Sequence, residues 1–106
     1  MESHYHIDDT HEIITPALVV FRDLVERNID QMIEMAGDLS RFRPHCKTHK
    51  MREVIRLLLE RGVTKHKCAT FAEAEMLAQT GVNDVLLAYH MVGANLSRAV
   101  KFVQQY

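Results

Sequence analysis

A row of basic side chains near the middle of the chain is the segment best suited to chemistry. Residues 41–50 read Arg-Phe-Arg-Pro-His-Cys-Lys-Thr-His-Lys, and the two-residue period of a β-strand divides them into an apolar face and a cationic face. The cationic face carries Arg43, His45, Lys47 and His49. Burying such a face costs free energy unless it meets an anion or water. The pattern therefore predicts either a binding site or a solvated edge strand whose charges discourage aggregation.

Lys47 is the candidate nucleophile of this row. A lysine amine attacks a carbonyl group only in its unprotonated form, and burial beside the cations of Arg43 and Lys50 favours that form. In parallel α/β proteins, ligands collect at the carboxyl ends of the strands. Lys47 and Tyr89 both lie at such ends in the predicted order of elements, so we expect them to face one site. The alternative is a surface lysine on a charged strand.

Alternating strands and helices position these residues. Strand patterns are predicted over residues 13–20, 41–50, 65–70 and 84–89. Apolar residues at helical spacing predict helices that begin at residue 23, run over residues 51–61, lie between residues 70 and 81, and run over residues 95–106. The short connections between these elements predict parallel strands with right-handed crossovers.

Capping signals mark the starts of two of these helices. Asp23 with Glu26, and Thr70 with Glu73, have the spacing of a capping box. We take capping as the first explanation for Glu73, although its position after a strand also places it near the expected site. Gly81 is the expected end of the third helix.

The composition is that of one ordinary globular domain. With 106 residues, of which 47% are hydrophobic and 25% charged, the chain is too short for two domains and too apolar for a disordered protein. A net charge of -1 gives no general attraction to nucleic acid or to an anionic membrane. No apolar run is long enough to span a membrane and the polar start is no signal peptide, so we expect a cytoplasmic protein.

Neither the cysteines nor the first histidines predict a metal site. Cys46 and Cys68 lack the paired spacing of metal and redox motifs, so we expect reduced, buried thiols, with a disulfide as the less favoured alternative. His4 and His6 stand beside two aspartates and have the chemistry of metal ligands. A polar chain terminus has no fixed geometry, however, and we assign no metal there.

Four motifs, in the same order, resemble the D-threonine aldolase and D-serine dehydratase-like enzymes, which belong to the alanine-racemase-type (fold type III) pyridoxal phosphate enzymes. The first is Thr15-Pro16-Ala17-Leu18-Val19-Val20, which is similar to the family's opening strand. The second, which resembles the family's lysine motif, is Arg43-Pro44-His45-x-Lys47-Thr48-His49-Lys50. The last two are Cys68-Ala69-Thr70-x-x-Glu73-Ala74-Glu75 and Asp84-Val85-Leu86-Leu87-Ala88-Tyr89.

The resemblance implies an α/β fold in which this chain is part of a (β/α) barrel, with three parallel strand–helix units preceded by one strand and helix. Residues 1–14 would be a polar amino-terminal segment, and residues 15–106 the amino-terminal portion of an alanine-racemase-like barrel domain. A closed eight-stranded barrel needs roughly 250 residues, so three strands leave edges and an apolar face open. We therefore expect a homo-oligomer or a fragment of a longer protein.

The resemblance also implies a lyase that uses pyridoxal phosphate to act on small D-3-hydroxy amino acids, by retro-aldol cleavage or β-elimination, with racemase activity left open. It makes Lys47 the catalytic lysine that binds the cofactor, and we expect His45, Arg43 and Tyr89 to contact the cofactor. The family's phosphate-binding residues and the ligands of its divalent metal lie in later sequence, so none is assigned here. The alternative is a non-catalytic α/β fragment that self-associates or complements another chain.

Overall fold

Most of the chain after residue 21 lies in helices and short strands. The computed structural model describes residues 5–106. Its helices and strands are α1 (Arg22–Ala36), α2 (Arg52–Glu60), β1 (Lys65–Cys68), α3 (Phe71–Thr80), β2 (Asp84–Leu87) and α4 (Ala94–Gln105). Two single turns of 3-10 helix lie between α1 and α2, at Leu39–Arg41 and at Cys46–Thr48. We refer to the second of them, Cys46–Thr48, as the Lys47 turn.

The two strands form a parallel sheet, and a third segment joins it through one bridge. In the sheet, Cys68 of β1 lies opposite Leu87 of β2. On the other edge of β1, His45 is bridged to Lys67 in the parallel sense, and the Lys67 N–H donates a hydrogen bond of 2.9 Å to the Pro44 carbonyl. The predicted α/β class with parallel strands is confirmed. Three strand–helix units and a partial barrel are not shown, because the sheet contains two strands.

Of the predicted basic strand over residues 41–50, the structure shows one bridge at His45, and Arg41 lies in the first 3-10 turn. Beyond His45, the Cys46 carbonyl accepts hydrogen bonds from the N–H groups of His49 at 3.3 Å and Lys50 at 2.8 Å. The His45 side chain starts this turn, because its Nδ1 accepts the Lys47 N–H at 3.2 Å. These local hydrogen bonds replace strand pairing, so the predicted alternation of His45, Lys47 and His49 along one face of a strand is wrong.

The predicted opening strand over residues 13–20 is also wrong. These residues form no strand, and no strand in residues 5–106 pairs with them. Pro16 lacks a backbone donor, and the apolar side chains of this segment have no sheet to pack against. Ile14 and Leu18 are accordingly 89% and 83% exposed. Of the segment assigned to residues 1–14, residues 1–4, including His4, lie outside the described part of the chain.

Sequence signals set the ends of α3 but not the start of α1. The Glu73 N–H donates to Thr70 Oγ1 at 3.1 Å, and Gly81 ends the helix with a left-handed backbone at φ 102°. At α1 the predicted Asp23 cap is wrong, because the helix begins one residue earlier, at Arg22, without a side-chain cap. Asp23 instead lies in the first turn, where its negative charge interacts favourably with the helix dipole.

The buried core lies where α2 and α3 cover the sheet. Ile55 and Leu58 are three residues apart in α2 and share one face of the helix, and Leu77 of α3 is buried with them. Removing such side chains from water is the main favourable term in folding. The core consists of Ile29, Cys46, Ile55, Leu57, Leu58, Val63, Cys68, Ala74, Leu77 and Val82.

The last helix leaves most of its apolar surface in solvent. α4 contributes no buried residue, and its Leu96, Val100 and Val103 are 55%, 58% and 77% exposed. The radius of gyration is 16.8 Å, whereas a compact domain of this length has a value of about 13 Å. The molecule is therefore elongated and has an open apolar face. None of the helices in residues 5–106 is both long enough and apolar enough to cross a membrane.

The location of the core can be tested with two leucine substitutions. Leu77 is 0% exposed, so Leu77→Ala leaves a cavity and should lower the free energy of unfolding by about 2–5 kcal/mol. Leu96→Ala removes the same atoms from the exposed surface of α4, and its effect should be about 0.5 kcal/mol. Urea denaturation measures both values. Equal losses in the two variants would contradict this assignment of the core.

Candidate functional site

Lys47 is the central residue of the Lys47 turn, at the carboxyl end of the segment that lies beside β1. The residue is exposed, so the expected burial beside Arg43 and Lys50 is not found. Its backbone is held by the hydrogen bond from its N–H to His45 Nδ1. Thr48 adds a contact of 3.5 Å from its hydroxyl to the His45 carbonyl. The turn therefore presents the Lys47 amine to solvent from a backbone that local hydrogen bonds hold in place.

A buried carboxylate lies beneath this turn. Glu73, in the first turn of α3, is 5% exposed. Its Oε2 accepts the Ala69 N–H at 2.7 Å and lies 4.0 Å from Cys46 Sγ. Its Oε1 lies 3.3 Å from the Lys50 ammonium. Glu73 thus connects α3 and the end of β1 to the residues on both sides of Lys47.

Glu73 stays ionised in spite of its burial. Burial raises the pKa of the Glu73 carboxyl, but the Ala69 N–H and the Lys50 ammonium lower it, and the net pKa is below the ordinary value of 4.5. The carboxylate is therefore charged at neutral pH. Sequence reasoning explained Glu73 as a cap and missed this role. The signal available was its position after a strand, which places it near the expected site.

His45 is neutral at pH 7. Burial lowers the pKa of His45, and the cations of Lys47 and Lys67 lower it further. Because His45 Nδ1 accepts the Lys47 N–H, this hydrogen-bond network assigns the ring proton to Nε2. A neutral imidazole therefore stands directly beside Lys47, as the sequence led us to expect.

Arg43 lies at the opposite end of the strands from Lys47. Its Nη2 is 2.7 Å from Asp84 Oδ1, and its Nη1 donates to the carbonyls of Asp84 at 3.2 Å and His66 at 3.1 Å. Asp84 is the first residue of β2, so Arg43 joins the amino ends of the strands. The structure does not bring Arg43 and Lys47 together, because two residues of extended chain and the start of the turn separate them.

Tyr89 lies at the expected end of the sheet but in a neighbouring cavity. It is 70% exposed and follows β2 by two residues. Together with Thr70 and Arg98 it lines an open cavity of about 350 Å³ at the carboxyl ends of β1 and β2. The Arg98 guanidinium lies 4.5 Å from the centre of the Phe71 ring. The structure thus brings His45 and Lys47 together, and it places Tyr89 after β2, which is separated from the His45 segment by β1.

Three possible metal ligands also meet beneath the turn. Ligand atoms of His45, Cys46 and Glu73 lie within 4.8 Å of one another. Their grouping was not predicted from the sequence. The cation that the structure shows at this position is the Lys50 ammonium, bound to Glu73 Oε1. Burial, followed by the charge of Glu73, raises the pKa of the Cys46 thiol, which opposes formation of the thiolate that a metal requires.

Both cysteines are free and buried, as the sequence predicted. Burial raises the pKa of the Cys68 thiol to about 11, and the Cys68 S–H points to the Leu86 carbonyl at 3.7 Å. Neutral thiols of this kind behave as small apolar side chains. We therefore assign both cysteines to packing in the buried core.

Two curated proteins are similar to this chain. Both are named 3-hydroxy-D-aspartate aldolase, one from Paracoccus denitrificans and one from its strain Pd 1222. Each is 38% identical over 81 residues, which are 74% of this chain and 21% of the relative. The chain thus spans about one fifth of the length of the curated relatives it matches. No protein-family model matches the chain, and no solved structure matches it.

A buried histidine of β1 makes stability depend on pH. His66 of β1 is 0% exposed, its Nε2 lies 2.9 Å from the Val63 carbonyl, and its Nδ1 has no partner among the described residues. Burial lowers the pKa of His66 below 6.5, as it does for His49. A lowered pKa in the folded state gives stability that is complete above pH 6.5 and is lost as the pH falls towards the folded value.

The free energy of unfolding should therefore fall between pH 7.5 and pH 5.5, and the fall should be smaller in His66→Gln. Chemical denaturation at the two pH values measures the difference for each protein. His90→Gln, which changes an exposed histidine, is the matched control and should keep the full difference. An unchanged difference in His66→Gln would show that His66 does not cause it.

Proposed function

We propose that this chain is the amino-terminal part of a pyridoxal phosphate-dependent lyase that acts on D-3-hydroxy amino acids, with Lys47 as the residue that binds the cofactor. The observation that carries the proposal is the Lys47 amine, exposed at the carboxyl end of a parallel sheet on a turn with defined hydrogen bonds. The 38% identity to proteins named 3-hydroxy-D-aspartate aldolase supports the same assignment.

The residues around Lys47 fit a cofactor that is an aldehyde and carries negative charge. The amine is accessible, and the Lys67 cation near His45 suits an anionic ligand. Pyridoxal phosphate, when bound, acts as the electron sink of the reaction. Binding and orientation are what this chain supplies, through Lys47 and the turn that holds it.

Each predicted contact residue has a specific part in this proposal. His45 stands beside Lys47, where its neutral imidazole can contact the cofactor. Tyr89 approaches from the end of β2, where its hydroxyl extends into solvent at the neighbouring cavity. Arg43 holds the amino ends of the strands through Asp84, so we assign it to alignment of the strands rather than to contact with the cofactor.

The relatives' name supports retro-aldol cleavage over β-elimination and racemisation as the proposed reaction. The divalent metal that the family resemblance implies would take its ligands from later sequence, as would the cofactor phosphate. Two free, buried thiols are in keeping with the cytoplasmic location that we propose. A small D-amino acid and a second copy of the chain are the proposed partners.

Cofactor binding can be tested on the chain as it is. Adding pyridoxal phosphate should produce a visible absorbance band, and borohydride reduction should fix the cofactor to Lys47, where peptide mass spectrometry can locate it. Lys47→Ala should lose both the band and the fixed adduct. Lys101→Ala, which removes an exposed lysine of α4, is the matched control and should keep both. An adduct spread over several lysines, or a band unchanged in Lys47→Ala, would refute the assignment.

A second function, self-association without catalysis, is favoured by the open apolar face. Leu96, Val100 and Val103 of α4 are exposed together with Leu86 of β2, and large exposed apolar patches mark sites of association. We propose a second copy of this chain as the occupant. If the chain self-associates, its mass measured by sedimentation should rise with protein concentration.

Val100→Lys places a charge in this face and should shift association to at least about tenfold higher concentration, because a buried charge without a partner is strongly unfavourable. Asn28→Lys adds the same charge on the exposed surface of α1 and should leave association unchanged. A monomeric mass at all concentrations, or equal effects of the two variants, would exclude this face as the interface.

A further inference from the structure

We infer that Glu73 is a positioning residue for Lys47, acting through its ion pair with Lys50. One buried carboxylate contacts residues on both sides of Lys47: Oε2 approaches Cys46 Sγ at 4.0 Å before it, and Oε1 approaches Lys50 Nζ at 3.3 Å after it. The consequence for cofactor capture rests on the function proposed above. The structural part of the inference, that this carboxylate fixes the turn, stands without it.

The capping role of Glu73 does not explain where its carboxylate lies. In a capping box, the side chain at this position reaches back to the N–H of the cap residue, here Thr70. Glu73 Oε2 instead accepts the N–H of Ala69 at 2.7 Å, one residue earlier, and Oε1 is directed to Lys50. The backbone half of the box is present, since the Glu73 N–H donates to Thr70. The carboxylate itself is thus available for a separate task.

The Lys47 turn needs an anchor because Lys50, the residue whose N–H closes it, has an unusual backbone conformation. Lys50 has a positive φ of 52°, which is uncommon for a residue other than glycine, and its N–H closes the turn on the Cys46 carbonyl at 2.8 Å. The Lys50 side chain is 64% exposed, whereas the Glu73 side chain is 5% exposed. The fixed partner is therefore the carboxylate, and the ammonium that reaches it restrains the backbone of the turn.

A charged group is required at this position, and an amide is not equivalent. Glu73→Gln keeps the size of the side chain, and its amide oxygen can still accept the Ala69 N–H. Its NH2 group, however, is a donor like the Lys50 ammonium, so the two groups do not bind each other. Glu73→Gln thus removes the ion pair with little change in packing, and Lys50→Met removes the same pair from the other side.

Hydrogen exchange of backbone amides tests the structural part on the full chain without any cofactor. The backbone N–H of residue 50, which closes the turn, should exchange about tenfold faster in both Glu73→Gln and Lys50→Met. The reason is that a hydrogen bond to a charged group stabilises a structure by at least a factor of about ten. The double variant should exchange no faster than either single one, because both changes remove one interaction. Glu75→Gln, an exposed glutamate of α3, is the matched control and should leave this rate unchanged.

Leu77 and Ile55 amides report on the fold in the same spectra. If they keep their protection in Glu73→Gln while the Lys50 amide loses it, the carboxylate fixes the turn. If Glu73→Gln also lowers the protection of the core amides, Lys50→Met is the deciding variant, because it leaves the carboxylate and the core in place. The inference is overturned if the exchange rate of the residue 50 amide is unchanged in Lys50→Met, or if the effects of the two substitutions add in the double variant.

Cofactor capture then separates this inference from the proposed function. If the wild-type chain binds pyridoxal phosphate at Lys47, the rate of capture should fall about tenfold in Glu73→Gln and remain unchanged in Glu75→Gln. A wild-type chain that captures no cofactor refutes the proposed function, and the exchange rates still decide the role of Glu73. Normal capture in Glu73→Gln with a loosened turn would show that fixing the turn does not serve Lys47.

Discussion

A carboxylate held out of water has to be surrounded by donors, and Glu73 finds them in two segments that are far apart in the sequence. Ala69 supplies a backbone N–H from the end of β1, and Lys50 supplies an ammonium from the residues after the Lys47 turn. An ionised group without such partners would neutralise or destabilise the fold. The folded chain must therefore bring the Lys47 turn against β1 and α3. This requirement fixes the position of the one lysine on which the proposed chemistry depends.

Charged pairs act at both ends of the short sheet, with different consequences. At the amino ends, Arg43 is bound by Asp84 and by two backbone carbonyls, and this pair aligns the segment before the turn with β2. At the carboxyl ends, Glu73 and Lys50 hold the turn itself. Strands of four residues offer few backbone hydrogen bonds, so these side-chain contacts contribute to register as well as to charge balance. The two pairs together orient Lys47 without touching it.

The sequence was sufficient to predict the elements that local signals control. The alternating pattern gave β1 and β2 as parallel strands, and Thr70 and Gly81 set the ends of α3 because a hydroxyl cap and a left-handed glycine act within one turn of helix. The sequence did not predict correctly the elements that depend on a partner far away along the chain. The strand predicted over residues 13–20 has no neighbour to pair with in the described structure, and a strand pattern alone does not supply one.

The sequence led us to expect His45 and Lys47 beside each other, but not the turn that joins them. His45 and Lys47 are two residues apart, which predicts one face of a strand, but the His45 ring accepts the Lys47 N–H and converts the strand into a turn. Arg43 fits the same strand pattern, yet Asp84 holds it at the other end of the sheet. The role of Glu73 depends on a contact with Lys50 across 23 residues, for which the capping pattern contains no signal.

The open apolar face and the Lys47 turn are formed by different residues, and this has a physical consequence. The contacts that fix the turn come from residues 45–50 and from the junction of β1 and α3, which pack on the buried core. The exposed side chains of α4 contribute nothing to that core. Covering the open face therefore adds stability without being needed to form the turn. The geometry of Lys47 can therefore be set by a small part of the chain, residues 45–50 together with the junction of β1 and α3.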